Sequence, residues 1–163
     1  MSNLHDKDKR YVNVYDGILK LVYESLEYIK SHHYDKKSNS TYDLNHFYNT
    51  QLLSIHTHRD AGISTTALRL FKAFENSLLI VPHNTVIEDL VSRKLSTDNN
   101  IVSIEQIAFF DGLPKNIKDK HFDIVIVDSA RTIRTDIGTN NILTYMYEDN
   151  LHSVFKDALI VEL

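Results

Sequence analysis

Three short runs built almost wholly of branched aliphatic residues, Ser77–Val81 (SLLIV), Ile124–Val127 (IVIV) and Ala158–Val161 (ALIV), constrain this chain most. None alternates apolar with polar, so none suits a strand with one face in water. Such runs ask for cover on both faces, the situation of strands in a parallel sheet. Two further runs, Leu52–His56 and Ile101–Ile104, also read as strands, and helical stretches separate the strands. Right-handed crossovers then predict an α/β sandwich around a central, mostly parallel five-stranded sheet. With 4 glycines and 2 prolines in 163 residues, a loop-dominated or all-β design is disfavoured.

An added N-terminal helix is predicted over 11–31. Tyr11, Tyr15, Ile18, Val22, Leu26 and Ile29 recur at three- and four-residue steps and make one apolar stripe, which Val14 and Leu21 widen. The stripe suits docking on the core through Tyr15, Ile18, Val22 and Leu26. A seam for a second copy or another partner is the competing reading, although it is too short to demand a coiled coil. Residues 32–42 are polar and read as a linker. Residues 43–163 then form the α/β core of a single domain covering 1–163. Within it, a short helix is expected over Asp43–Tyr48 and another over Thr65–Phe74. A third is expected to be capped by Asn84 or Thr85 and to run to about Leu95. Ile107–Phe110 is read as running into a turn at Asp111-Gly112.

Composition removes several classes of function. The chain has no cysteine, which excludes disulfides, thiolate metal sites and cysteine nucleophiles. No apolar signal core or membrane-length run is present, so a soluble, cytoplasmic protein without membrane partners is expected. A formal charge of −4 gives no electrostatic drive toward non-specific nucleic-acid binding, while leaving a local basic patch open. Asparagine, lysine, isoleucine and tyrosine are frequent, a bias that AT-rich genomes, including those of many phages, often produce. Ser64 and Ser129 lie in no G-x-S-x-G elbow, and no zinc-finger spacing or RNA-binding aromatic motif is visible.

The chemistry-bearing stretch is His58–Leu68 (HRDAGISTTAL), between the first apolar run and a helix. A phosphate loop of pattern G-x-x-x-x-G-K-[ST] cradles phosphates with backbone N–H groups, reaches them with its lysine and holds Mg²⁺ with its hydroxyl. Gly62 and Ser64 keep the second glycine and the hydroxyl. Ile63 stands at the lysine position and Thr57 at the first glycine. Phe122–Asp128 (FDIVIVD) reads as a buried strand ending in an aspartate.

The run Arg59-Asp-Ala-Gly62-Ile63-Ser64-Thr65 resembles the arginine-containing phosphate loop of tailed-phage large terminase ATPase domains, roughly S-R-x-x-G-K-[ST]-T. Leu79–Asn84 (LIVPHN) is similar to the segment that follows in terminases and superfamily-two helicases. Ile124–Ala130 (IVIVDSA) is similar to their D-E-x-A motif, with Asp128 at the magnesium-associated aspartate and Ser129 in place of glutamate. The resemblance covers about His46–Arg131 and implies a three-layer P-loop NTPase-like fold. It implies a nucleotide or phosphate site at Arg59, Gly62, Ser64 and Thr65, with Mg²⁺ at Ser64 and Asp128 if Mg·ATP binds.

The departures from the pattern imply lost chemistry. Isoleucine brings neither charge nor donor to a polyphosphate, and serine is too weak and too short a base to orient water. Hydrolysis is therefore expected to be absent or very slow. A non-hydrolysing interaction or regulatory protein follows, acting with a protein partner in nucleic-acid metabolism. One alternative is a protein that still binds ATP or another phosphate ligand, and a second is a metal-dependent enzyme using the histidines.

Two other sets of residues stay open. Arg59, Arg131 and Arg134 could compensate for the missing lysine, or simply pair with Asp60, Asp128 and Asp136. His56, His58 and His83 could hold a metal ion together with Asp128 if their strands are neighbours, or merely fill a vacated phosphate site.

Overall fold

The computed structural model describes residues 4–31, 51–56, 62–95, 99–109, 114–130, 132–133 and 158–163, the side chains of 4–13 and 108–109 excepted. The linker over 32–42 and the short helix expected over Asp43–Tyr48 lie outside the described residues. In chain order the elements are α1 (Leu4–Ser31), β1 (Leu52–Ser54), α2 (Ile63–Ala73), β2 (Ser77–Val81) and α3 (Asn84–Ser92). They continue with β3 (Ile101–Ser103), α4 (Ile104–Phe109), α5 (Lys115–Lys118), β4 (Ile124–Val127) and β5 (Leu159–Glu162). The five strands form one sheet in the order β1-β5-β4-β2-β3, and every pairing is parallel. The expected α/β architecture is thus the observed one, with a sheet that is parallel throughout.

Both faces of the sheet are covered, which is why its strands need no polar alternation. Leu78, Ile80, Val125, Val127 and Ile160 point to one side, where they meet Ile104 and Ile107 of α4 and Ile117 of α5. Leu79, Val81, Ile124, Ile126, Leu159 and Val161 point to the other side. There they meet Tyr15, Ile18, Val22 and Leu26 of α1, Ala67, Leu70 and Phe71 of α2, and the half-buried Val86, Ile87 and Leu90 of α3. Moving from β1 to β2 to β3 the chain crosses by the α2/α3 face. Returning from β3 to β4 it crosses by the α4/α5 face, as right-handed connections require when direction reverses.

The N-terminal helix docks through the four residues expected, and it starts at Leu4 rather than at Tyr11. The guanidinium of Arg69 lies 3.9 Å from the centre of the Tyr15 ring, tying α1 to α2 through a cation–π contact. Val14 and Leu21 do not widen the docked stripe: they stay 36% and 46% exposed. At 100° per residue they sit about a quarter-turn from its centre.

Three local readings are corrected by hydrogen bonding. The helix after the loop covers Ile63–Ala73 rather than Thr65–Phe74. Its C-terminal end is held by the Ser77 hydroxyl, which sits 2.8 Å from the Phe71 carbonyl and 2.7 Å from that of Phe74. The helix at Asn84 has no side-chain cap of its own and ends at Ser92 rather than Leu95. Instead, the Asn84 N–H donates to Glu105 Oε2 at 2.9 Å, a cap supplied from another element.

Finally, Ile104–Phe109 is helical where the sequence reading put a run entering a turn. Gln106 N–H donates to Ser103 Oγ and Ser103 N–H to Gln106 Oε1, each at 3.1 Å. This reciprocal pair is a capping box that starts the helix directly at the end of β3.

Gly17 lies inside α1, exposed, and a Cβ built there meets nothing within 4 Å. Gly17→Ala is expected to raise the unfolding free energy by roughly 0.5–1 kcal/mol in dilute solution, by helix propensity alone. Leu70→Ala, at a fully buried position, should lower it by about 2–5 kcal/mol. Urea unfolding of the two variants checks both, and a destabilised Gly17→Ala would count against the open helix face.

Candidate functional site

The carboxyl ends of β1, β5 and β4 define the place where a ligand would sit. After β1 the chain enters α2 on one face of the sheet, whereas after β4 Ala130 and Ile133 pack on the opposite face. β1 and β4 flank β5, and segments that leave their ends toward opposite faces open a crevice, the usual ligand position in open α/β sheets.

Gly62 begins α2. Its φ of 69° and ψ of 35° are left-handed, a conformation that costs glycine nothing and a side chain considerably more. No side chain caps the helix, and its first backbone bond runs from Thr66 N to Gly62 O at 2.8 Å. The N–H groups of Ile63, Ser64 and Thr65 therefore meet no side-chain cap at the positive end of the helix dipole. Ile63 is half-buried and packs against the α2 face of the core, while Ser64 and Thr65 are exposed.

The Ser64 hydroxyl donates to Asp128 Oδ1 at 3.0 Å. The structure thus brings together two residues 64 positions apart, the loop hydroxyl and the strand-end aspartate. Asp128 is 4% exposed, and its N–H donates to Ile80 O at 2.9 Å. Burial pushes its carboxyl above the ordinary aspartate range. Hydrogen bonds from the Ser64 and Ser129 hydroxyls and the Ser129 N–H offset this only in part. Ser129 itself has φ 56°, and its hydroxyl turns back to Asp128 Oδ1 at 3.1 Å. Position 129 thus carries a hydroxyl rather than a carboxylate.

A second polar cluster occupies the neighbouring ends of β2 and β3. His83 Nδ1 lies 3.0 Å from Glu105 Oε1, and the other carboxylate oxygen accepts the Asn84 N–H. Beside a carboxylate, Nδ1 is the donor of this contact. Glu105 is held below the ordinary glutamate range, first by the Asn84 N–H and then by His83. Ser103 Oγ donates to Asn84 Oδ1 at 2.6 Å and completes the set.

Sequence reasoning missed Glu105, although the S-I-E-Q capping box that positions it was readable. It also missed Glu162, which is 2% exposed at the end of β5 and accepts the Ser54 hydroxyl at 2.6 Å. An acid terminating an aliphatic run was the available signal.

The histidine arrangement differs from the condition set for a metal site. His56 follows β1 and His83 follows β2, and β5 and β4 lie between those strands. Three strand spacings separate them by about 14 Å, and His83 Nδ1 is already engaged by Glu105. Among the described residues no three His, Asp or Glu side chains come close enough to hold a metal ion. His58, Arg59, Arg131 and Arg134 lie outside the described residues. No described helix is long and apolar enough to cross a membrane. No protein-family model, curated protein or solved structure matches the chain at a significant level.

The two shifted carboxylates should show opposite pH trends. The folded chain holds a proton on Asp128 more readily than the unfolded chain does, so its charge costs stability above the folded pKa. That cost fades as pH falls toward the unfolded pKa. Relative to wild type, Asp128→Asn should gain stability as pH rises from acid to neutral. Glu105 contributes stability above its unfolded pKa and loses it as pH falls through the folded one. Glu105→Gln should therefore lose stability relative to wild type over the same rise. Denaturant titrations of the three proteins across this range provide the check, and parallel trends for the two variants would contradict the assignment.

Proposed function

We propose that this protein is a P-loop NTPase-like domain that does not hydrolyse nucleotide and serves as an interaction or regulatory module, with a protein partner in nucleic-acid metabolism. The observation that carries the reading is the bond between the Ser64 hydroxyl and Asp128. In P-loop NTPases a loop hydroxyl and a strand-end aspartate hold Mg²⁺ together. Here the same pair of groups is adjacent while the groups for chemistry are replaced. Ile63 contributes packing where phosphoryl transfer calls for positive charge, and Ser129 offers a hydroxyl turned toward Asp128 where a carboxylate base would be needed.

A second reading, retained binding of a phosphate ligand such as Mg·ATP, is favoured by one observation. The first-turn amides of α2, started by a left-handed Gly62 and without a side-chain cap, are a ready-made anion site. In that case Gly62, Ser64 and Thr65 hold phosphate together with Arg59, and Mg²⁺ sits near Ser64 and Asp128.

Isothermal titration separates the two. No heat and no thermal shift at millimolar Mg·ATP supports the module without nucleotide, whereas a low-micromolar Kd, about −8 kcal/mol, supports the binding protein. Neither reading survives steady-state hydrolysis at rates of ordinary ATPases. Ile63→Lys combined with Ser129→Glu should improve Mg·ATP binding more than turnover. Position 63 is half-buried, and a lysine there can keep its stem on the core and its ammonium in water. A double variant that folds normally and gains no affinity would favour a loop remodelled for protein contact over an inherited phosphate site.

A further inference from the structure

The helix α1 carries a second apolar line besides the one that docks it. Val14, Leu21 and Tyr28 are 36%, 46% and 49% exposed. They follow one another at seven-residue steps, so they lie along one side of the helix over about 21 Å, with a slow drift of about 20° per step. The small residues Gly17 and Ser25 flank this line, and the space above Gly17 is open. Beside it, Leu21 and Tyr28 join Leu52 and Leu53 of β1 in lining a groove of about 270 Å³. A single exposed apolar residue needs no explanation, whereas an aligned series beside a groove does.

We infer that this face of α1 pairs with the same face of a second copy, the two helices running antiparallel about a two-fold axis at Leu21. The spacing is symmetric about that residue. Leu21 meets Leu21 of the second copy, and Val14 on one helix meets Tyr28 on the other, small against large. Gly17 falls opposite Ser25, so the backbones are free to approach closely. The charges are self-complementary in the same register. Lys20 and Glu24 now form an exposed pair within one helix, 3.7 Å apart. On antiparallel helices the same flank faces the same flank, which brings Lys20 of each copy against Glu24 of the other. An isologous contact of this kind closes on itself and leaves no free copy of the surface. The inference stands independently of any nucleotide reading, because α1 lies outside the loop and the strand-end aspartate.

Sedimentation of the full-length chain across a concentration series tests it. A monomer–dimer equilibrium is expected, and Leu21→Glu should weaken association by about tenfold or more while leaving the fold intact by circular dichroism. Charge reversal gives the decisive arm. Lys20→Glu alone and Glu24→Lys alone should each associate more weakly than wild type, and an equimolar mixture of the two should form a heterodimer. Because the chain has no cysteine, Leu21→Cys should also crosslink to its own copy under mild oxidation, and Val14→Cys should not. A chain that remains monomeric at about 1 mM would overturn the inference. A dimer that is indifferent to Leu21→Glu, or single reversals that gain nothing on mixing, would do the same.

Discussion

β4 is hydrogen-bonded along both edges, to β2 and to β5, and Ile124, Val125, Ile126 and Val127 are all fully buried. Each such side chain contributes roughly 1.5–3 kcal/mol by leaving water, and the strand has no exposed edge to be repaired elsewhere. Its register also fixes the candidate site. Val127 is paired with Ile80 on one side and Glu162 on the other, so Asp128 emerges at a defined height beside the end of β2. β1 and β4 stand two strand spacings apart, about 10 Å, with β5 between them. Ser64 reaches Asp128 because α2 starts with a sharp bend at Gly62 and leans across that gap.

Polar groups at this edge of the sheet follow a common rule. The hydroxyls of Ser54 and Ser64 end at the carboxylates of Glu162 and Asp128, and that of Ser103 ends at the side-chain amide oxygen of Asn84. Acids placed just past the last buried layer lose part of their water. Short hydroxyl side chains on adjacent segments replace it at little cost in rotamer freedom. For Asp128 the replacement is incomplete, and burial still dominates its proton affinity. Glu105 shows the opposite balance, because a backbone N–H and an imidazole both favour its charged form.

The sheet was legible because aliphatic runs without polar alternation admit few placements. SLLIV and IVIV coincide with β2 and β4, and β5 is displaced from ALIV by one residue. The stripe of α1 was legible for the same reason, down to its four docking residues. What escaped was tertiary. Nothing in the local sequence at Asn84 states that its cap comes from Glu105, since the two meet only after β2 and β3 pair. Val14 and Leu21 looked like part of the stripe because a helical wheel does not say where the neighbouring sheet ends. The proximity of Ser64 to Asp128 followed from the motif order, whereas the separation of His56 from His83 depended on strand order, which composition and periodicity leave open.

The pairing of Ser54 with Glu162 spans 108 residues. During synthesis from the N-terminus, β2, β3 and β4 can assemble as a local three-stranded unit while β1 has no partner at all. Closing so long a loop carries a substantial entropic cost before any contact repays it, and sheets of this connectivity fold slowly for that reason. Until β5 slots in, β4 and β1 each present a bare, hydrophobic edge, the form of surface most prone to pairing with the wrong chain. The strand that completes the crevice is therefore also the one whose late arrival leaves a nascent polypeptide exposed to aggregation.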